Sequence, residues 1–561
     1  MIGDLLIPPA LVLIVGGLAL PFFGAAARRV LIVALPIVAL WLVVSLPDGE
    51  LGRLAFLGYP LVPVRVDPLS RLFGIVFSIM ALGGGLFALS QARVLELVAA
   101  FVYGGAAIGA AMAGDLISLF VFWEVMAVGS TLVVWSAGTS AYAAGMRYAM
   151  IHLFGGVLLM AGIAGHVAAT GSVAFSAMQA DGWAHWLLLA GFLINAGAPP
   201  LSAWLPDAYP EASWSGMVFL SAFTTKTAVY ALLRGFPGTE LLIWVGLFMV
   251  FYGIVYAILE NDMRRILAYS IVNQVGFMVA GIGIGTAMAL NGAAAHAFAH
   301  IIYKALLLMS AGSVLYATGK RKCTDLGGLF RTMPLTMVCG VIGALSISAF
   351  PLTSGFVSKS MIAEGAAQQH MTIVWLLLAA ASAGVFLHAG IKFPWFVFFQ
   401  KDSGLRPPDP PWNMRLAMIL FSALCIGIGV FPQPLYALLP QLVDFVPYTA
   451  DHVVLQLQLL LFSGLAFFLL LKQLRRTLTI TLDVDWLYRR MGRLFAGVAD
   501  AMWVRSAEAF RRRSVATALR FVGGIQRHHG PHGVLARSWP TGSMALWATL
   551  LLGAFVLIYY V

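Results

Sequence analysis

FLINAGAPPLSAWLPDAYPEASWSGMVFLSAFTTKTAVYALLR, running from Phe192 to Arg234, reads as an apolar span that Pro199, Pro200 and Pro206 interrupt and that resumes around Lys226. Each proline removes a backbone donor, and at membrane depth such a break persists only where protein or a water-filled cavity satisfies the freed carbonyls. An ammonium in a bilayer costs about 2.5–3.5 kcal/mol on insertion scales, so it faces the bundle interior and finds a partner there. Thr224 and Thr225 precede Lys226 and more than a turn of apolar chain follows, which argues against a lysine snorkelling from a helix end. A broken helix beside a buried cation marks an ion path.

Working outward, the 561 residues are 61% hydrophobic and 10% charged, which excludes a water-soluble globule and defines an all-α polytopic membrane protein. The net charge of +11 sits in a few polar connections and in the arginine-rich stretch after Lys472. That placement fits a cytoplasm-facing surface, not a nucleic-acid partner. Cys323, Cys339 and Cys425 show neither disulfide nor zinc spacing. Asp4 is the only early charge, so the first apolar run reads as a retained span, not a cleaved signal.

Apolar runs predict about sixteen transmembrane helices, near 5–23, 29–46, 70–90, 95–113, 115–136, 147–169, 184–204, 215–234, 240–259, 265–285, 289–317, 335–368, 372–399, 414–432, 455–473 and 542–561. Arg28/Arg29, Arg93, Arg147, Arg264/Arg265, Lys320/Arg321/Lys322 and Lys401/Arg406 then share one face, which should be cytoplasmic, with both termini outside. The chain divides into N-terminal helices (1–114), a first half-channel (115–235), a second (236–400), peripheral helices (401–473), a basic arm (474–541) and a final span (542–561).

The span near 335–368 carries its own interruption, SAFPLTSGFVSK, where Pro351, Ser354 and Gly355 loosen the helix before Lys359. Pro200-Leu201 and Pro351-Leu352 each lie in a broken span with a lysine following, the pattern of inverted repeats with two broken helices. After the fifteenth span, Leu487, Met491, Leu494, Val498 and Met502 recur at helical spacing opposite arginines, predicting an amphipathic lateral helix laid against lipid or neighbouring subunits. His528, His529 and His532 close that arm without a pattern that calls for a metal.

Ionisable groups at membrane depth form a set. Glu124 lies nine residues past Asp115; His296, His300 and Lys304 recur every four residues on one helix face; Lys226 and Lys359 follow the two breaks. Burial disfavours the charged form of a lysine or histidine and a neighbouring carboxylate favours it again, so moving one proton changes the next group's affinity. The competing reading is structural glue between helices, which five basic groups against one acid make less convincing. Histidines four residues apart on one helix cannot supply both axial ligands of one heme, and HExxH is absent. No redox or hydrolytic chemistry, catalytic residue, metal or cofactor is read in the chain.

WLPDAY at 204–209, TKTAVYALLR at 225–234, DMRRILAYSIVNQVGFM at 262–278, HAFAHIIYKALLLMSAG at 296–312 and PLTSGFVSK at 351–359 together resemble the antiporter-like subunits of respiratory complex I, membrane-bound hydrogenases and multi-subunit Mrp Na⁺/H⁺ antiporters. The middle of the chain is most similar to the Mrp D-type subunit, and the arm with its last span to the largest antiporter-like subunit of complex I. The resemblance implies a proton-translocating subunit working with other Mrp-like or complex I-like membrane subunits in a bacterial plasma membrane, moving H⁺ alone or in exchange for Na⁺. The alternatives are a pump driven by redox partners and a scaffold that has lost transport. In the family a glutamate pairs with a lysine ahead of WLPDA. Glu124 matches the first, whereas Asn195 stands at the lysine's position, nine residues before Trp204, which leaves Lys226 as the expected partner in a shared chamber. Lys226, His300 and Lys304 match the central axis, with His296 one turn before, and Lys359 matches the terminal residue. His388 and Lys392 are further polar groups of unassigned role, Lys392 a candidate for snorkelling.

Overall fold

The computed structural model of the chain describes residues 7–91, 93–442, 444–474, 477, 482–538 and 540–560. The first two residues of the span expected at 5–23, Val561, and parts of the arm's root lie outside them. Helices run over Pro9–Ala19 (α1), Ala25–Ser45 (α2), Pro68–Phe87 (α3), Val94–Met112 (α4), Leu116–Trp135 (α5), Tyr142–Thr170 (α6), Trp183–Ala196 (α7), Trp204–Ala208 (α8), Gly216–Leu220 (α9), Thr224–Gly235 (α10) and Leu241–Leu259 (α11). They continue with Met263–Ile284 (α12), Ala287–Thr318 (α13), Pro334–Ile347 (α14), Ser354–Gln368 (α15), Thr372–Val385 (α16), Trp412–Val430 (α17), Gln433–Tyr436 (α18), Ala450–Leu469 (α19), Asp485–His529 (α20) and Thr541–Tyr560 (α21).

Thirteen helical segments among the described residues are long and apolar enough to cross a membrane, and the shorter apolar helices Pro9–Phe22, Trp183–Ala196 and Pro334–Ile347 bring the set to the expected sixteen. The last two are the leading halves of the broken helices. The first break separates α7 from α8 and contains Pro199 and Pro200; the second separates α14 from α15 and contains Pro351. A third interruption, at Ser221–Phe223 between α9 and α10, has no proline and leaves no mark in the sequence. Between α2 and α3 the connection folds into two short antiparallel pairs, Gly49–Leu51 with Val64–Val66 and Leu54–Phe56 with Tyr59–Leu61, which apolar runs alone do not predict.

The internal repeat has a local signature. Asp115 caps α5 through the Ser118 amide and bridges to Ala174; Asp262 caps α12 through the Arg264 amide and bridges to Lys322. These helices are the fifth and tenth spans, so they start from opposite faces and the repeats are inverted. The centre belongs to α12 and α13, whose most apolar windows are 100% and 94% buried. The backbones of α11 and α12 approach so closely that a methyl at Gly246 would meet the Ala280 nitrogen at 2.3 Å, the close approach that small residues permit between membrane helices.

Residues 486–561 form a unit of their own. There the amphipathic stretch is one continuous helix, α20, carrying Leu487, Met491, Leu494 and Val498 exposed along with its arginines.

Candidate proton path

Four buried lysines find oxygen partners without a carboxylate. Lys226, fully buried, donates to the Ser221 carbonyl (2.6 Å) at the α9–α10 interruption and to Thr225 Oγ1 (3.0 Å). Lys359 donates to the carbonyl of Ile347 (2.8 Å), the last residue of α14, and stands 4.7 Å from the Phe277 ring centre. Lys304 donates to Ser270 Oγ (2.7 Å) and the Leu267 carbonyl (3.3 Å). Lys392 donates to the carbonyls of Ala257 (3.1 Å), Ile258 and Glu260 (2.6 Å). Three of the four ammonium groups thus sit at helix ends, where unpaired carbonyls and the negative end of the helix dipole replace a counter-ion. Lys392 does not snorkel: it caps α11.

Around α13 the polar groups form a connected network. His296 Nδ1 meets Ser358 Oγ on α15 (2.9 Å), and its Nε2 meets Gln274 Oε1 on α12 (3.1 Å). Tyr303 donates to the same Gln274 oxygen (3.0 Å), and Gln274 donates in turn to Asn273. His300 is the exception: both ring nitrogens are buried without a partner among the described residues. Lys226, Lys304, His296 and Lys359 all lie close enough to act on it electrostatically. His300 thus lies within electrostatic reach of Lys226 in the first repeat and of Lys304 and Lys359 in the second. The wider π-helical backbone that follows α16, Phe386–Lys392, turns His388 inward to the Gly384 carbonyl (2.9 Å), and its Nε2 has no partner among the described residues.

The first repeat is built differently. Glu124 on α5 is half-buried against α6, where its Oε1 lies 2.1 Å from the place a Cβ on Gly156 would take, so any larger residue there would push the carboxylate aside. Asn195 on α7 is fully buried against the neighbouring Gly155, and neither its amide oxygen nor its nitrogen has a partner among the described residues. Glu124 Oε1 and His152 Nε2 are likewise unpaired. Glu124 and Lys226 form no ion pair, so the partnership expected of them has no direct contact. What joins their helices is a chain of hydroxyls: Tyr148 on α6 donates to Ser130 on α5 (2.8 Å) and meets Thr224 on α10 (3.4 Å), which meets Tyr103 on α4 (2.6 Å). Thr224 adjoins Thr225, the partner of Lys226.

Tyr148, His152 and Gly156 occupy one face of α6 at four-residue spacing, a pattern present in the sequence but masked by the surrounding apolar run. A fully buried carboxylate also escapes sequence reasoning. Glu96, in the first turn of α4, accepts from Ser213 Oγ (2.7 Å), Ser215 and the Gln91 amide (3.2 Å).

The segment after the first break is held by guanidinium groups. Arg147 grips Asp207 with two hydrogen bonds (2.6 and 2.8 Å), and Arg264 donates to the carbonyls of Pro210, Ala212 and Ser213 (2.7–2.8 Å). Trp204 Nε1 reaches back across the break to the Ile194 carbonyl (3.0 Å). Within WLPDAY, Trp204 and Asp207 thus hold the segment that follows the break.

An α-helical membrane protein with two inverted repeats, a broken helix in each, and a buried line of cationic side chains is the class that fold and site define. Residues 113–386 match the model of the NADH:quinone oxidoreductase/Mrp antiporter membrane family. The chain is 31% identical over 360 residues to the D-type subunit of the Na⁺/H⁺ antiporter of Alkalihalophilus pseudofirmus, covering 60% of this chain and 72% of that one. It is 30% identical to the N-type subunit of the NADH-quinone oxidoreductase of Desulforudis audaxviator, over 58% and 70% of the two chains. A chain of the membrane-bound sulfane sulfur reductase, an archaeal respiratory membrane complex, superposes with a TM-score of 0.72 at 23% identity, over 98% of this chain and 99% of that one. The chain belongs to the NADH:quinone oxidoreductase/Mrp antiporter membrane family.

Proposed function

We propose that the chain is the proton-translocating, antiporter-like subunit of a multi-subunit complex in a bacterial plasma membrane, and that it moves H⁺, alone or in exchange for Na⁺. The observation that carries this reading is the buried line Lys226, His300, Lys304, His296 and Lys359 on α10, α13 and α15, set among hydroxyls, amides and freed carbonyls and not among carboxylates that would lock its charge. A group neutralised by a fixed ion pair keeps its proton; one held by a carbonyl dipole can release it. Glu124 supplies the proton to the first repeat, and Asn195 and Tyr148 line its route toward Lys226. Proton flux by the complex in reconstituted vesicles tests the reading: Glu124→Gln, Lys226→Ala and Lys359→Ala should each stop flux while the subunits still co-purify. Wild-type flux in all three would refute it.

A second reading, a proton pump driven by redox partners, is favoured by one fold-level fact: the match with the archaeal respiratory complex takes in nearly the whole chain, the arm included. Identification of the co-purifying subunits and their cofactors separates the two.

A further inference from the structure

Beside Lys359 lies a cavity of 320 Å³ between α15, α16 and α19, floored by Phe277 of α12. Three of the residues lining it are ionisable: Lys359 and Glu364 on α15 and His452 on α19; α12 and α16 contribute apolar groups and Ser382. Lys359 is 5% exposed, whereas the side chains of Glu364 and His452 are 31% and 30% exposed, so the cavity leads from a buried ammonium to the surface. It opens by the end of α15 and the start of α19, the face opposite Arg147 and Lys320. Glu364 lies five residues beyond Lys359 on the same helix, a rise of roughly 7.5 Å.

The two groups at the rim stand within ion-pair distance of each other, and Gln368 donates to the other oxygen of Glu364 (3.2 Å). His452 Nδ1 faces the Pro447 carbonyl at 3.3 Å, and a carbonyl only accepts, so the ring hydrogen belongs on Nδ1. Nε2 of the neutral ring then presents a lone pair to Glu364 Oε2, 3.9 Å away. Two acceptors facing each other attract only when a proton joins them. At the inner end, Gln456 on α19 donates to the Ser348 carbonyl in the second break (3.1 Å), which ties this wall of the cavity to the helix interruption that holds Lys359.

We propose that this cavity is the mouth through which the second repeat releases its proton, and that Glu364 and His452 together bind the proton that leaves Lys359. The step breaks an N–H bond of the Lys359 ammonium and forms an O–H bond on Glu364 or an N–H bond on His452. The proton then passes to water on that face, and Lys359 is reloaded from the α13 side. The inference rests on the proposed function, and its test reads the cavity separately. In the complex reconstituted in vesicles, the double variant Glu364→Gln/His452→Gln should transport at least about tenfold more slowly and lose the dependence of flux on the pH of the face where the cavity opens, keeping its response to the opposite face. Wild-type rate and pH profile in that variant would overturn the proposal. A second measurement does not need transport: Ala363→Cys, in the cavity wall, should react with a membrane-impermeant thiosulfonate added on that face, the native cysteines all being buried. Reaction from the opposite face alone would overturn the proposal, whereas a wild-type complex that carries no protons would strike the proposed function and leave this readout standing.

Discussion

Lys359 Nζ donates to the Ile347 carbonyl across the second helix break at 2.8 Å, and Lys226 Nζ does the same to the Ser221 carbonyl across the α9–α10 interruption at 2.6 Å. Both ammonium groups are solvated by carbonyls that an intact helix would have used itself. A lysine at either place is therefore tied to the interruption, and Lys359→Met should cut flux by roughly a hundredfold, the lower end of what a positioned proton-transfer group contributes. Vesicle flux per assembled complex is the measure; a variant within twofold of wild type would remove Lys359 from the path.

Tyr148 carries the hydroxyl bridge between α5 and α10. Tyr148→Phe keeps the ring stacked on His152 and removes only the hydroxyl. Flux is expected to fall severalfold with only a small drop in melting temperature, since each of the two lost hydroxyl contacts contributes about 1 kcal/mol or less. Asn195→Leu, which keeps the branched shape and removes both unpaired amide atoms, should likewise slow transport without harming assembly.

Lys392 should behave in the opposite way. Its three bonds cap the end of α11, so Lys392→Met strands buried carbonyls at about 1–3 kcal/mol each and lowers the thermal stability of the solubilised complex. Flux per surviving complex should change little. A variant as stable as wild type but inactive would instead place Lys392 on the proton path.

Asp67, at the cap of α3, gives a pH signature. Burial pushes its carboxyl up, but Arg234, bonded to both oxygens at 2.8 Å, and the Ser70 amide outweigh burial and hold it below the ordinary carboxylate value. A carboxyl depressed in the folded state stabilises fully above its unfolded pKa of 3.8 and loses that contribution as pH falls through the folded value. The difference in melting temperature between wild type and Asp67→Asn should therefore be constant at neutral pH and shrink below about pH 4. A difference that grows on acidification would contradict the pairing.

The root of the arm belongs to the core. Asp483, nearly buried, accepts from Tyr252 on α11 (2.6 Å) and Tyr269 on α12 (2.7 Å), and Tyr256 donates to the Leu482 carbonyl (2.9 Å). A chain ending after Val484 should keep the core's melting temperature and assemble poorly, whereas one ending after Lys472 should lose stability as well. Equal melting temperatures for the two truncations would show that these bonds contribute nothing.

The sequence by itself determined the number of spans, because about twenty apolar residues are what a bilayer requires and each span announces itself alone. It also placed both proline breaks and the charged residues near them, since proline and membrane-depth charge are rare enough to stand out in apolar text. The partners were decided only by the tertiary structure. That Lys226 leans on Ser221 and not on Glu124, that Lys392 caps a helix more than a hundred residues away, that Tyr148 links α5 to α10, and that Glu364 meets His452 are all contacts between helices. Helix periodicity says which residues share a face, but it does not say which helix the face will meet. In a chain whose helices are nearly all apolar, that choice is made by packing, by where small residues such as Gly156 and Gly246 let backbones close in, and by the carbonyls left free at each break.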